Sequence, residues 1–367
     1  MKIPQGCNPL CPACAHREKT PADSIAQKAD WLAYRLSPWA EHLAPVTSAS
    51  LERQWGYRDR VSLSAMWLDD RWQFGVTTRD EFIGIPDCPV HSKRIRATIH
   101  LLSASLPSPT DFKLAFLVQS GAQVVLILKQ PHPPAADWLT ETFTHQLATL
   151  GIEGFWLHCF PSAGRRLLTK NGWHRLWGNE RSRDADGFWY EPGAFSQLLP
   201  ELHTASLDEA QAFLAPRPGD RVLDLYCGRG ISLSRWLRCG AATLGVELGG
   251  EALACATLNA PAALLLRGSC AQRLPQMDEW WRNTLPDHRL CYLNPPRTGL
   301  EPPVTLWLAE QAKPDRIAYL SCSAGTLHRD LTHLCDAGYH VERITPYDFF
   351  PRTYHVETLA LLSRTEN

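Results

Sequence analysis

From about residue 206 onward the chain repeats one unit: an apolar run, a turn, then an amphipathic stretch. Arg221–Leu225 predicts a strand and Ile231–Arg238 a helix; Ala242–Glu247 and Gly250–Asn259 repeat the pair. Leu290–Asn294 predicts another strand, followed by a helix over Pro302–Gln311, and Arg316–Ser321 one more, followed by a helix over Thr326–Asp336. The unit ends with two strand-like runs, Tyr339–Pro346 and Val356–Ser363, joined by an aromatic loop. Strands alternating with helices leave few choices. Each helix must cross over the sheet, so most strands run parallel, helices cover both faces, and ligands bind at the strands' carboxyl ends. The fold class expected is α/β with a doubly wound, mostly parallel sheet in the C-terminal half, residues 201–367.

The first half has a different texture, rich in Trp, Pro and Arg, and is expected to form a separate α+β domain over residues 1–200. Gly56–Trp67 with Trp72–Thr77 predicts a hairpin, as does Lys113–Ser120 with Ala122–Lys129 turning near Gly121. Helices are expected over Ser24–Arg35 and Asp137–Leu150. A chain of 367 residues suits two domains, and 44% hydrophobic with 20% charged residues is ordinary for a globular protein. A net charge of −1 supplies no global field toward nucleic acid, so any RNA must be held by local basic patches. No signal-like apolar run opens the chain and no segment reaches the ~18 apolar residues of a membrane span, so a cytoplasmic monomer with no membrane partner is expected. Disulfides are not expected there, and Cys159, Cys239, Cys255, Cys291 and Cys335, in apolar contexts, read as inert thiols.

Asp224-Leu-Tyr-Cys-Gly-Arg-Gly230 lies between a strand and a helix. Gly228 and Gly230 let backbone approach a ligand, and the spacing is not the G-x-G-x-x-G of dinucleotide sites. Glu247 ends the next strand, where a carboxylate can accept both hydroxyls of a ribose. With the motifs that follow, this reads as an S-adenosylmethionine site. Cys322 follows one strand and immediately precedes a helix, whose N-terminus should lower the thiol pKa toward neutrality. Glu357 opens the last strand, able to face the same site. A methyl donor, a placed thiol and a placed carboxylate suit methylation of a pyrimidine at C5. Carbon 5 of uracil is a poor nucleophile until a thiolate adds to C6; a base must later remove the C5 proton so that the thiolate can leave. Asn294-Pro-Pro-Arg297 lies at another strand end, where an Asn can donate and accept along a base edge or toward the donor. The same Asn-Pro-Pro occurs in enzymes that methylate amino nitrogens, but those usually carry an aromatic where this chain has Arg297.

These residues resemble the uracil-5 RNA methyltransferase family, in particular the shorter iron–sulfur 23S rRNA (uracil-5)-methyltransferases. The resemblance implies a class I S-adenosylmethionine-dependent methyltransferase domain, Cys322 as nucleophile and Glu357 as base. It also implies donor contacts from Gln197, Tyr226, Glu247 and Asn294, and 23S rRNA as substrate, with tRNA the alternative. Tyr57-Arg58 resembles a segment of the family's substrate domain. The family's N-terminal RNA-binding barrel is expected to be absent, because cysteines begin at residue 7. Four positions depart from the family pattern: Ser323 after the nucleophile, Leu199 after the donor-site Gln, Ser269 after the third strand, and Asp59 after Tyr-Arg.

Cys7-x3-Cys11-x2-Cys14, with Cys88 far downstream, supplies four thiolates, a set that suits either zinc or an iron–sulfur cluster. The resemblance implies [4Fe–4S]. The three-cysteine spacing is also that of radical S-adenosylmethionine enzymes. Against this stand Ala13 where those carry an aromatic, Cys88 closing the iron site they leave open, and a βα pattern that starts only near 206. Arg53, Trp55, Tyr57, Arg58 and Arg60 form one basic–aromatic cluster, and Arg165, Arg166, Lys170, Trp173, His174, Arg175, Trp177, Arg181 and Arg183 another. Arginines hold phosphates while aromatics stack on unpaired bases. A cluster-bearing RNA-binding protein without catalysis is the remaining class.

Overall fold

The computed structural model describes residues 3–79, 81–283 and 288–364. The chain divides into two compact units, one made of Met1–Glu18 with Ser50–Leu198, the other of Lys19–Ala49 with Leu199–Asn367. A single cut near residue 200 therefore misses one segment. Helix α1 (Pro21–Arg35), with Thr20 accepting from the Asp23 N–H as its N-cap, packs with the second unit through Leu32 and Leu36.

The first unit holds a seven-stranded sheet. Its strands are β1 (Arg60–Leu68), β2 (Arg71–Thr77), β3 (Phe82–Gly84), β4 (Leu114–Ser120), β5 (Gln123–Leu128), β6 (Gly154–Cys159) and β7 (Trp173–Gly178), in the order β3-β2-β1-β4-β5-β6-β7. Both expected hairpins form. Leu68 pairs with Arg71 in the first, which starts at Arg60 rather than Gly56, and Ser120 with Gln123 in the second. Only β5 and β6 are parallel, and a crossover helix joins them, as a parallel pair requires. Helix α2 (Lys93–Ser105) and crossover helix α3 (Glu141–Thr149) bury Ile95, Ile99, Leu102, Phe143 and Leu147 against Phe74, Leu117, Leu126 and Phe155. Short strands β8 (Ser182–Arg183) and β9 (Trp189–Tyr190) pair beyond the sheet.

The second unit follows the predicted alternation. Helix α4 (Pro200–Leu214) leads into β10 (Arg221–Leu225), α5 (Ile231–Arg238), β11 (Ala242–Glu247), α6 (Gly250–Asn259), β12 (Leu264–Arg267) and α7 (Leu274–Arg282). Then come β13 (Arg289–Leu293), α8 (Pro302–Trp307), β14 (Arg316–Ser321), α9 (Ala324–Asp336) and the final hairpin β15 (Tyr339–Tyr347) and β16 (Glu357–Arg364). The sheet order is β12-β11-β10-β13-β14-β16-β15. Strands β10 to β14 are parallel, and β16 enters antiparallel between β14 and β15. Sequential strands run outward from β10 to one edge and then restart at β13 on its other side. The crevice at the carboxyl ends of β10 and β13 is thus the switch point where ligands bind in open α/β sheets. Strands β10 and β13 are buried on both faces, with Val222, Leu223, Leu225, Cys291 and Leu293 at 0% exposure.

Candidate active site

Five neighbouring strands each deliver one expected residue to the same edge of the sheet. Glu247 ends β11, Tyr226 follows β10, Asn294 follows β13, Cys322 follows β14, and Glu357 begins β16, which runs the other way. Adjacent strands lie ~4.8 Å apart, so the row runs without a gap from the residues that suit the donor to those that suit the pyrimidine.

The donor end is shaped by backbone. Tyr226 takes a left-handed φ of 61° and Gly228 one of 54°, so the chain after β10 turns sharply away from the sheet. A non-glycine residue held there stores strain that the surrounding structure must offset, a frequent signature of functional turns. A Cβ at Gly228 would have nothing within 4 Å, so the space before it is open. Gly230 differs: a Cβ there would press on Ala256 of α6 at 3.1 Å, so this glycine serves helix packing. Glu247 accepts the Gly228 N–H at 3.1 Å and the Gly249 N–H at 2.6 Å, which fixes its carboxylate while leaving lone pairs for hydroxyl donors. Beneath the turn Asp224 is fully buried and accepts from Trp236 Nε1 at 2.8 Å; burial pushes its carboxyl up to about 7. Sequence reading did not single out Asp224 as a functional group, because an acid inside a strand carries no local mark of its burial. Gln197, the remaining expected donor contact, is half-buried and belongs to the first unit.

The other end is fixed by strand register. In the β14–β16 pair Arg316 lies opposite Ser363, Tyr319 opposite Ala360 and Ser321 opposite Thr358. Continuing that register by one residue sets Cys322 alongside Glu357, and directly opposed side chains of an antiparallel pair lie ~5 Å apart. The electrostatics agree. The Cys322 thiol is raised above its ordinary pKa, first by burial and then by the Glu357 carboxylate, while Arg297 and the residue's own backbone N–H pull it down. The direction is opposite to the expectation that the helix N-terminus would lower the thiol toward neutrality, and its causes are burial and the facing carboxylate. Glu357 is 3% exposed, buried rather than on an open strand face. A second network ties the floor together. Asp330 of α9 accepts from the Tyr319 hydroxyl at 2.7 Å and the Leu300 N–H at 2.9 Å and pairs with Arg329, which also holds the Thr298 and Leu300 carbonyls. Strand β14, the turn after Asn294 and the helix after Cys322 are thereby one rigid piece.

All four departures have local partners. Ser323 is the N-cap of α9, accepting from the Thr326 N–H, a task that Ser and Asn perform equally. Ser269 and Gln272 exchange side-chain bonds with each other's backbone N–H at 3.2 Å, the reciprocal pattern of a capping box. Leu199 is fully buried at the start of α4, a packing position. Asp59 pairs with Arg94 and accepts from the Ser92 hydroxyl at 2.6 Å, so its charge is compensated within the first unit.

The four expected metal-site cysteines lie in the first unit. The Asn8 amide donates to the Gly84 carbonyl at 3.1 Å, and Gly6 lies so close to the Asp87 carbonyl that any Cβ would collide with it, which brings the 7–14 loops to the turn that carries Cys88. Cys14 is pushed up to about 11, first by burial, then by the neighbouring thiols Cys88, Cys11 and Cys7, with Arg58 opposing. Burial and then Cys11 and Cys7 likewise raise Cys88 against the backbone N–H groups of Val90 and His91, so the four thiols interact as one group. Among the described residues no set of three or more His, Cys, Asp or Glu side chains is disposed around a single metal ion. Among the described residues no two cysteines are joined by a disulfide; Cys159, Cys255 and Cys291 are buried, while Cys239 and Cys335 are half-buried. In the basic–aromatic clusters Tyr57 is buried at 2%, and Trp173, half-buried, donates to the Thr169 carbonyl while packing on His158. Arg53, Arg165, Arg166, Lys170, Arg175 and Arg183 remain exposed. Among the described residues no helix is long and apolar enough to cross a membrane.

Fold and site together define a class I S-adenosylmethionine-dependent methyltransferase. Over 97% of this chain and 86% of the other, the structure superposes with a TM-score of 0.71 and 21% identity on the Pyrococcus abyssi tRNA (uracil-54, C5)-methyltransferase in complex with S-adenosyl-L-homocysteine. Residues 286–365 match the tRNA (Uracil-5-)-methyltransferase family model. The 23S rRNA (uracil(1939)-C(5))-methyltransferase RlmD of Pseudomonas entomophila is 31% identical over 84% of this chain and 68% of that relative. An RNA methyltransferase of Protochlamydia amoebophila is 27% identical over 84% and 71%, and the RlmD of Erwinia tasmaniensis 26% over 98% and 83%. The chain belongs to the uracil-5 RNA methyltransferase family.

Proposed function

We propose that the protein methylates C5 of a uridine in 23S rRNA, with Cys322 as nucleophile and Glu357 as base. The observation that carries this reading is the row of residues on adjacent strand ends, which runs from Glu247 and Tyr226 through Asn294 to Cys322 and Glu357. Bound S-adenosylmethionine supplies the methyl group as an electrophilic sulfonium. Glu247, held by two backbone N–H groups, suits its ribose; Gly228 leaves the backbone open to it; Tyr226 and Asn294, on the neighbouring strand ends, are the other expected contacts of this unit.

The thiolate of Cys322 adds to C6 of the uracil, and C5, now enolate-like, takes the methyl group as its bond to the donor sulfur breaks and that electron pair stays on the sulfur as a neutral thioether. Glu357 then accepts the C5 proton; the C–H electron pair forms the C5=C6 bond, and the C6–Sγ bond breaks to return the thiolate. The close approach of Glu357 to Cys322 that raises the thiol also brings one group to each task on the same ring. The target base must leave its stack to reach them, and the exposed arginines of the first unit suit the flanking phosphates.

Cys7, Cys11, Cys14 and Cys88 are read as ligands of a [4Fe–4S] cluster. Four mutually interacting thiols are a donor set that either zinc or an iron–sulfur cluster can take, and the resemblance favours the cluster. The transfer is polar and takes no electron from a cluster, so the expected role is to hold the N-terminal loops.

The test is incubation of the anaerobically purified protein with unmodified rRNA and tRNA and labelled S-adenosylmethionine, without reductant. The expected product is 5-methyluridine in 23S rRNA, absent with Cys322→Ala, while that variant still binds the donor. Label in tRNA alone would overturn the substrate; no 5-methyluridine in either RNA would overturn the activity.

A further inference from the structure

Within the second unit the segment 19–49 grips the loop that leads from β15 to Glu357. Lys28, on α1, is 1% exposed, and its Nζ lies 2.5 Å from Asp348 Oδ1, with a second bond to the Phe350 carbonyl at 3.2 Å. The Asp348 N–H donates to the Thr47 carbonyl at 2.9 Å, and Arg352, itself buried, donates from Nη1 to the Lys19 carbonyl at 3.0 Å. The next residues continue toward the base: the His355 ring packs against Phe350 and Tyr354, and Glu357 follows, alongside Cys322.

An ammonium removed from water gains little net stability from one carboxylate, and an apolar pair of the same volume would stabilise the fold as well. What the ion pair adds is direction: a charged donor fixes the carboxylate and carbonyl it serves in one geometry. The site has a use for that. A base must reach a C5 proton that exists only after the thiolate and the methyl group have both been added, and small misplacements of catalytic groups are costly.

We propose that Lys28 is a positioning residue for proton removal, holding Asp348 and Phe350 so that the Glu357 carboxylate meets C5 of the methylated adduct. This rests on the reading of Glu357 as the base. Slowing proton removal leaves the earlier steps intact, so the enzyme should stall with the methylated uridine still joined to Cys322 through C6.

The experiment compares wild type, Lys28→Met, Lys28→Arg, Asp348→Asn and Glu357→Gln on an unmodified 23S rRNA transcript with labelled S-adenosylmethionine. It measures kcat, KM for the donor, and the fraction of enzyme in an SDS-stable, methyl-labelled protein–RNA adduct. Lys28→Met should lower kcat between roughly ten- and a hundredfold, leave the donor KM unchanged and accumulate adduct; Lys28→Arg should retain most of the turnover. Asp348→Asn keeps the shape of the loop and should reproduce the adduct if Lys28→Met folds poorly. Should Glu357→Gln trap no adduct, the base assignment itself falls. Should it trap adduct while Lys28→Met and Asp348→Asn do not, the positioning role alone is overturned.

Discussion

Cys322 is the residue whose chemistry the structure changes most. Its local sequence points to an activated thiol at a helix start; its surroundings push the other way, since burial and the Glu357 carboxylate both disfavour the thiolate. The sign is testable. A raised pKa means that the thiolate fraction is small at neutral pH and grows as pH climbs through and beyond the ordinary cysteine range of ~8.5. Alkylation of Cys322 by iodoacetamide, followed by mass spectrometry of its peptide, should therefore be slow at pH 7 and still rising above pH 9. Glu357→Gln removes a negative neighbour and should move the profile to lower pH, whereas Arg297→Ala removes a positive one and should move it higher. A rate already level at neutral pH would contradict this account of the thiol.

At the scale of elements, the turn after β10 separates ligand binding from stability within three residues. Gly228 faces open space and Gly230 faces Ala256 of α6. Both carry positive φ, so an alanine at either pays backbone strain of ~1 kcal/mol. Beyond that the two diverge. Gly228→Ala should fold with a small loss of Tm but bind S-adenosylmethionine at least tenfold more weakly, because the new methyl projects where the donor approaches. Gly230→Ala should lose more Tm, since the α5–α6 packing must shift, with less effect on the affinity of what folds. Thermal unfolding with and without donor distinguishes them, and equal effects in both variants would refute the division. Sequence periodicity located β10, β11 and β14 to the residue because each is a buried apolar run bounded by a turn. It did not delimit β12, four residues at the sheet edge with both ends exposed, which only the resemblance implied as the strand before Ser269, nor α7, which opens Leu274-Pro-Gln after a polar stretch. The helix expected over Pro302–Gln311 also changes character, passing from α8 into a π turn over Leu308–Ala312.

At the scale of the molecule, local pattern could not say which unit each segment would join. Lys28 and Asp348 are 320 positions apart, and nothing near residue 28 announces that partner, so segment 19–49 read as part of the N-terminal half. The candidate site residues were legible because each sits in a short motif at a strand end; their order across the sheet was not, since it depends on β16 inserting between β14 and β15. The same division into units makes a prediction about the cysteines. Cys7, Cys11, Cys14, Cys88 and the basic segment Arg53–Arg60 all belong to the first unit. Moreover, the backbone of Gly56 and Arg58 is bonded to Pro89 and Val90, and Ser92 to Arg58, immediately after Cys88. Glu247, Tyr226 and Gly228 belong to the second unit. Loss of the metal site should therefore loosen residues 56–60 and spare the donor site. Cys14→Ser, purified without oxygen, should lose iron and labile sulfide relative to wild type, bind the 23S rRNA transcript at least tenfold more weakly, and bind S-adenosylmethionine as before. Hydrogen exchange should rise at residues 56–60 and 89–92 and stay unchanged through β10 and β11. If donor affinity fell in step with RNA affinity, the cysteine site would be supporting the whole chain rather than the first unit, and its reading as a local anchor would fail.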